Sequence, residues 1–174
     1  RELIIKYGNI DINEYNTRET LLQKIYDEKI EIDCDTPLED LGYGNLVDQL
    51  YKKVARPNVV NPIFLTEHPI SLSPLARAND DNPEITDRFQ LIINGAEIIN
   101  AYSELVDPQE QERRLEEQAA LKADGDEEAM PMDHEYISAM EVGMPPISGW
   151  GMGIDRVVQL LTNADNIKDV VMFP

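Results

Sequence analysis

Asn94-Gly95 sits between two runs of strand-favouring residues, Arg88 to Ile93 and Glu97 to Val106. Asn-Gly is the preferred pair for a two-residue hairpin turn, because both central residues must take positive φ. This part of the chain is therefore committed to an antiparallel sheet. Such a turn sets Ile93 opposite Ala96, Ile92 opposite Glu97 and Gln90 opposite Ile99. Gln90 and Glu97 then share a face as diagonal neighbours, close enough to hold one ligand. Asn100, Tyr102 and Glu104 have one parity and also share a face, but strict alternation turns Glu97 the other way. A single site built from Glu97, Asn100, Tyr102 and Glu104 needs a bulge between Glu97 and Asn100, and one is expected there. Without it, these residues are the polar face of an edge hairpin.

A second constraint lies at Gly149-Trp150-Gly151-Met152-Gly153-Ile154-Asp155-Arg156, followed by Val157-Val158-Gln159-Leu160-Leu161. Glycines at alternate positions let a backbone pass close to a planar partner with no Cβ in the way. A helix with an apolar face then begins, and Arg156 falls in its first turn. Burial of Val157, Leu160 and Leu161 is expected to fix where Arg156 points. Its guanidinium is permanently charged and flat, suited to stacking on a base or forking onto phosphate oxygens. No Lys-Ser/Thr follows the glycines, so this is not a P-loop, and no βαβ unit surrounds it as a dinucleotide fingerprint requires.

The residue types on the hairpin suit nucleotide and amine chemistry. A carboxylate beside a nucleotide can hold a divalent cation that bridges phosphates. A second carboxylate, at the far end of a pocket, would pair with an ammonium while an aromatic wall holds the aliphatic stem. An amide can bond a substrate's α-groups.

Charge narrows the partners. Lys and Arg total 15 against 34 Asp and Glu, a net −19 over 174 residues. So acidic a surface repels phosphate backbones and argues against general nucleic-acid binding. One cysteine, Cys34, excludes an internal disulfide framework and suits the cytoplasm, where it is read as a small packed side chain. No apolar run reaches the ~18 residues of a membrane span. The chain starts at Arg1 with no signal peptide, and is expected to be a piece of a longer protein.

The remaining segments read as scaffold. Leu3 to Tyr7 alternates like a strand, with a turn at Gly8-Asn9. Thr17 is placed to cap a helix over about 18–29, and a second helix is expected over about 45–55, stopped by Arg56-Pro57. Residues 62–66 are expected to form a short buried strand. His68, next to Glu67 with no second histidine and no nucleophile nearby, is read as structural. Asn79 to Pro83 is a polar loop. Residues 108–124 form a charged helix with a solvated face, and Asp124 to Glu128 lacks the ligand order of a calcium loop and is expected to be solvated. Asp133 caps a helix to about Val142, with His134 exposed, and Ile167 to Phe173 closes the sequence.

The glycine run resembles motif 3 of class II aminoacyl-tRNA synthetases, a Gly-x-Gly-x-[Asp/Glu]-Arg sequence that opens a helix. Gly143-Met144-Pro145-Pro146 before it and Asp169-Val170-Val171-Met172-Phe173-Pro174 after it are similar to the lysyl branch. Ser73-Pro74-Leu75-Ala76-Arg77 resembles that branch's Ser-Pro-Leu-Ala-[Lys/Arg]. Asn100-Ala101-Tyr102-Ser103-Glu104-Leu105-Val106-Asp107 resembles its Asn-x-[Tyr/Phe]-[Ser/Thr]-Glu-Leu-x-Asp. The likeness is good over residues 42–174 and thin over residues 1–41.

The resemblance implies an α+β fold: the antiparallel sheet of a class II catalytic domain flanked by helices on its outer side, present here as a single partial domain. It implies that Glu104 binds the lysine ε-amino group, that Tyr102 lines the side-chain pocket and that Asn100 contacts substrate. It assigns ATP to Glu97, Gly151, Gly153 and Arg156, with Arg156 the catalytic residue, and ATP-bound Mg2+ to Glu97. Gln90 stands where the family usually has a second acid; its amide oxygen can coordinate but brings no charge. Motifs 1 and 2 and the anticodon-binding barrel are missing. The implied parent joins lysine to tRNA(Lys) through an adenylate, as a homodimer, by positioning and charge stabilisation; this part alone is expected to be inactive. Two alternatives stay open: a non-catalytic binding or regulatory module derived from a synthetase, and a paralogue that lysylates a protein.

Overall fold

The computed structural model describes residues 1–173, so Pro174, the end of the expected closing segment, lies outside the described residues. The fold opens with three helices: α1 (Glu2–Gly8), α2 (Arg18–Asp27) and α3 (Tyr43–Val54). The strand expected at Leu3 to Tyr7 is thus a helix. A five-residue apolar run is too short to reveal its period. Ile4 is buried while Ile5 and Tyr7 stay exposed, so only one helical face meets the core. Asn9, at φ 54°, ends α1 in the left-handed conformation. Thr17 caps α2 as expected, through a reciprocal box with Thr20 at 3.3 Å in each direction. Leu46, Val47 and Leu50 of α3 join Ile4, Ile10, Leu21, Ile25 and Leu41 in the main core.

The first residue before α3 is Gly42, which has no side chain to act as a cap. Asp126 does so from 84 residues away, accepting Gly42 N–H at 2.7 Å and Asn45 Nδ2 at 2.9 Å. Glu128 of the same loop accepts from Gln49 at 2.7 Å. The Asp124 to Glu128 run was expected to be solvated, yet Asp126 is fully buried. The correction has a physical basis: a helix N-terminus leaves unpaired N–H donors and a partial positive charge, and a buried carboxylate is tolerated there.

Gly44, inside α3, touches the 3-10 turn at Ile70–Leu72. A Cβ there would stand 2.7 Å from the carbonyl carbon and oxygen of Ser71. Alanine would gain about 1 kcal/mol of helix propensity, but wedging a methyl against backbone costs up to about 3 kcal/mol. Gly44→Ala is therefore expected to destabilise the fold by about 1–2 kcal/mol, seen as a lower urea midpoint. An unchanged midpoint would show that the Ile70–Leu72 turn yields freely.

Four strands form one antiparallel sheet in the order β1 (Ile63–Pro69), β2 (Ile85–Ile93), β3 (Ala96–Ser103) and β4 (Ser148–Met152). The β2–β3 turn is at Asn94-Gly95, as its sequence requires, with both residues at positive φ. Ile93 faces Ala96 and Ile92 faces Glu97, but Leu91 faces Ile99 and Gln90 faces Asn100. Ile98 is the extra residue, which is the bulge expected between Glu97 and Asn100. It also corrects the pairing expected for Gln90, which is with Asn100 and not Ile99. A second irregularity falls at Glu67, at φ 57°, where β1 shifts register and turns His68 inward.

α4 (Pro108–Ala123) and α5 (His134–Glu141) join β3 to β4 and are capped by Asp107 and Asp133. They pack through Leu115, Ile137 and Met140. The face of α4 is not wholly solvated as expected. Arg114 is buried, bonding Ala76 O at 2.8 Å and Glu110 at 2.7 Å, and Gln111 reaches Pro74 O at 3.2 Å. α4 thereby clamps the Ser73 to Ala76 segment, and Ala76 bridges to Glu104.

The helices do not all lie on the sheet's outer side, since α3 packs over part of the face that carries Gln90. The opposite face is open at its edges among the described residues: Phe64, in the strand expected to be buried, is 66% and Trp150 68% exposed, while Ala101 between the outer strands is buried. α6 (Ile154–Thr162) was expected to bury Val157, Leu160 and Leu161, yet none of its residues is buried and Leu161 is 79% exposed. Its apolar periodicity is real, but burial needs a second layer, and no described element supplies one. No described helix is long and apolar enough to cross a membrane.

Candidate functional site

The bulge at Ile98 decides the site. Ladder partners share a face, so Ile92 and Glu97, Gln90 and Asn100, and Arg88 and Tyr102 all point one way. On the far side of β3, Gly151 pairs with Asn100 and Gly149 with Tyr102, extending that face across β4 as bare backbone. Glu104 follows in parity. From Glu97 to Glu104 the strand runs roughly 20 Å at about 3.3 Å per residue.

At one end, Gln90 Nε2 donates to Glu97 Oε2 at 2.7 Å, and Gln90 Oε1 lies 3.3 Å from His68 Nε2. His68 is the structural histidine the sequence suggested: buried, with its pKa pushed down to about 4 by burial and then by Arg88. It is neutral at pH 7, and since Gln90 presents an oxygen, Nε2 carries the proton. Glu97, Gln90 and Arg88 line a cavity of about 190 Å³ with Asp48, Lys52 and Arg56. Lys52 pairs with Asp48 at 2.7 Å, and Arg56 bonds Gly95 O at 2.6 Å.

Arg156 Nη1 donates to the backbone oxygen of Glu97 at 2.7 Å. A Cβ on Gly153 would stand 3.3 Å from Arg156 Cδ, so the glycine leaves room for the arginine's stem. Arg156 is exposed, and beside Gly151 nothing stands within 4 Å of where a Cβ would be. A flat, charged group and an open strip of backbone thus occur together, next to the Glu97 end of the face.

At the other end, Glu104 Oε1 lies 2.5 Å from the place a Gly149 Cβ would occupy. The carboxylate rests where only glycine leaves space. Burial raises its pKa above the ordinary value, and no cation pairs with it among the described residues. Burial also raises Tyr102, followed by the charge of Glu104. Tyr136 of α5 is raised by burial and then by Glu104 and Tyr102, so a second phenol stands near this carboxylate. An acid that burial disfavours, with aromatic neighbours, has the chemistry to take an ammonium on an aliphatic stem.

The sequence reading missed Arg88, Asp48, Lys52 and Tyr136. Arg88 could have been found, because it shares parity with Gln90 on β2. The α3 and α5 residues could not, since their approach depends on tertiary packing. The Mg2+ assignment can be tested on the donors present. No group of three or more His, Cys, Asp or Glu side chains is placed to hold a metal among the described residues. Glu97 keeps one oxygen without a protein partner among those residues, which fits an ion held mainly by phosphates and water plus one carboxylate.

The family model described as tRNA synthetases class II (D, K and N) matches residues 6–174. A lysine–tRNA ligase of Helicobacter hepaticus is 44% identical over 174 residues, covering all of this chain and 33% of that protein. One from an Enterobacter species is 43% identical over 178 residues, 100% of this chain and 34% of its own length. A heat-inducible lysine–tRNA ligase of Escherichia coli K12 is 50% identical over 133 residues, or 76% of this chain and 26% of that protein. The chain thus spans about a third of the length of these relatives.

Proposed function

The chain belongs to the class II tRNA synthetases of the D, K and N group, and on that premise we propose that it is the lysine-recognising, motif-3-bearing part of a lysine–tRNA ligase. The observation that carries the reading is the unpaired, partly buried carboxylate of Glu104 over Gly149, on the same strand face as Tyr102, Asn100 and Glu97. Glu104 takes the ε-ammonium of lysine, Tyr102 holds the methylenes, and Asn100 bonds the α-end. Gly151, Gly153 and Arg156 take ATP, with Arg156 stacking on the base or neutralising phosphate oxygens. Glu97 would hold the Mg2+ that arrives with ATP; the ion supplies charge neutralisation at the phosphates. The site lays amino acid and nucleotide along one strand, so that reaction follows from proximity and charge stabilisation. In this reading residues 1–174 are one partial catalytic domain. The whole protein is a cytoplasmic homodimer that transfers lysine to tRNA(Lys).

The test is lysine-dependent ATP–pyrophosphate exchange, by this chain alone and by a protein that adds the other two-thirds of a lysine–tRNA ligase. Exchange is expected only from the longer protein, while the chain alone binds lysine by calorimetry. Exchange driven by another amino acid, or by none, would overturn the assignment.

Gln90 offers a separate prediction. Its NH2 is turned to Glu97 and its oxygen to His68, so it contributes little to a cation. Gln90→Glu would set two carboxylates side by side, which repel each other when empty and chelate when a cation is present. Mn2+ binding, followed by the paramagnetic signal of the free ion, is expected to tighten about tenfold or more, on the order of 1.4 kcal/mol. Equal affinity in both proteins would mean that Gln90 already ligates.

A further inference from the structure

Arg88 projects from β2 onto the site face, between Ser73 and Asn100. Its Nε donates to Asn100 Oδ1 at 3.0 Å, and its Nη1 donates to Ser73 Oγ at 2.9 Å and Leu72 O at 3.3 Å. Burial is the largest influence on the guanidinium and lowers its pKa, and no carboxylate lies within ion-pair distance among the described residues. The charges of Glu97 and Asp48 favour it from across the shared cavity, but its hydrogen bonds all go to neutral oxygens, and each of those bonds could be made by a neutral donor. What a guanidinium adds is direction. It has five donors in a fixed fork and no acceptor.

We infer that Arg88 is a positioning residue that fixes the amide of Asn100, committing its oxygen to the protein and its NH2 to the cleft, so that the site takes only a hydrogen-bond acceptor of the ligand at that point. The amide cannot be turned over, since Nδ2 would then meet a group that only donates. Nδ2 has no protein partner among the described residues, and the ladder neighbour of Asn100 on β4 is Gly151, beside which space is open. The ligand group must be a hydrogen-bond acceptor, such as a carbonyl, carboxylate or phosphate oxygen or an unprotonated ring nitrogen. Resting on the lysine–tRNA ligase reading, it is an oxygen of the amino acid's α-carboxylate. Lysine at position 88 would not substitute, because a single ammonium cannot fork between Ser73 and Asn100 along fixed directions.

The experiment is a melting cycle on the 174-residue protein, joined to ligand titrations. Asn100→Asp is compared with Asn100→Ala in proteins with Arg88 or Arg88→Met. With Arg88, Asn100→Asp is expected to keep or raise the melting temperature, because a carboxylate faces the guanidinium with both oxygens as acceptors. With Arg88→Met that advantage over Asn100→Ala should vanish. If Asn100→Asp melts as low as Asn100→Ala beside Arg88, or if the difference is the same in both backgrounds, the orientation is wrong. In calorimetry, Arg88→Met should weaken lysine at least tenfold while leaving the lysine analogue without a carboxylate, cadaverine, within about twofold. Equal losses for both ligands would reduce Arg88 to a structural role. Binding of neither ligand by the unmutated protein would sink the lysine reading and the α-carboxylate assignment with it, while the melting cycle still decides how Asn100 is turned.

Discussion

Glu104→Gln is expected to weaken lysine binding about 30-fold or more, in calorimetry on this protein or as KM in a longer active one. The substitution preserves shape, removes the charge and turns one acceptor oxygen into an NH2 donor. Stripping one member from a desolvated charge pair costs about 2–5 kcal/mol, mostly because the other is left without a partner. Glu104 is only half-buried, which puts the loss at the lower end, about 2 kcal/mol or some 30-fold in Kd. The effect should depend on the ligand's amine. Norleucine, whose side chain ends at the ε-carbon and carries no amine, should bind the two proteins alike. Loss of lysine and norleucine in parallel would place the ammonium elsewhere.

The raised pKa of Glu104 adds a pH signature. Its carboxyl keeps its proton to a higher pH in the fold than in the unfolded state. The folded state therefore binds more protons between the ordinary value and the raised one, and the empty protein loses a little stability as pH climbs through that interval. Lysine binding runs the other way, since only the ionised carboxylate attracts the ammonium. Affinity should fall as pH drops through the raised pKa, and Glu104→Gln should flatten the profile. His68 pulls in the opposite sense for stability. Its pKa is lowered to about 4, so the unfolded state binds more protons between that value and the ordinary 6.5, and stability is lost as pH falls across the interval.

The features legible in the sequence were those set by local chemistry. Asn94-Gly95 fixed the hairpin because few other dipeptides tolerate two positive φ values. The bulge at Ile98 could be inferred because Glu97 and Asn100 have opposite parity yet belong to one chemistry; the register shows it. Thr17 and Asp133 each cap a helix where a side-chain oxygen meets the first turn, as expected; Asp107 does the same before α4, though the sequence reading did not single it out. The failures have one origin, in groups whose partners are far away in sequence. Leu3 to Tyr7 became a helix because α3 offered it one face to pack on. Asp126 passed for a solvated acid because the N-terminus it caps lies 84 residues away. The apolar face of α6 was legible but its burial was not, since a period says which side is apolar and nothing of what covers it. For the same reason Arg88 is recoverable by parity and Tyr136 is not.

Gly149→Ala should separate fold from function most cleanly. Gly44 and Gly149 both sit closer to a neighbour than a methyl permits, and the neighbours differ in kind. At Gly44 the obstacle is the backbone of Ser71, which cannot move without taking the Ile70–Leu72 turn with it. At Gly149 it is the tip of Glu104, at 2.5 Å, and a carboxylate on a flexible stem can swing aside at little cost. The stability of Gly149→Ala, read from its urea midpoint, should therefore stay within about 1 kcal/mol of the parent, whereas Gly44→Ala unfolds earlier. Function should show the reverse order. A displacement on the order of 1 Å at a charged contact can cost about 100-fold in turnover efficiency, and the moved carboxylate no longer holds its place beside Tyr102. Lysine affinity should fall nearly as far in Gly149→Ala as in Glu104→Gln, and the double variant should be little worse than either, because both act on one contact. Additive losses would mean that Gly149 serves the ligand directly, as bare backbone against its surface, and that the rest position of Glu104 is not what the glycine protects.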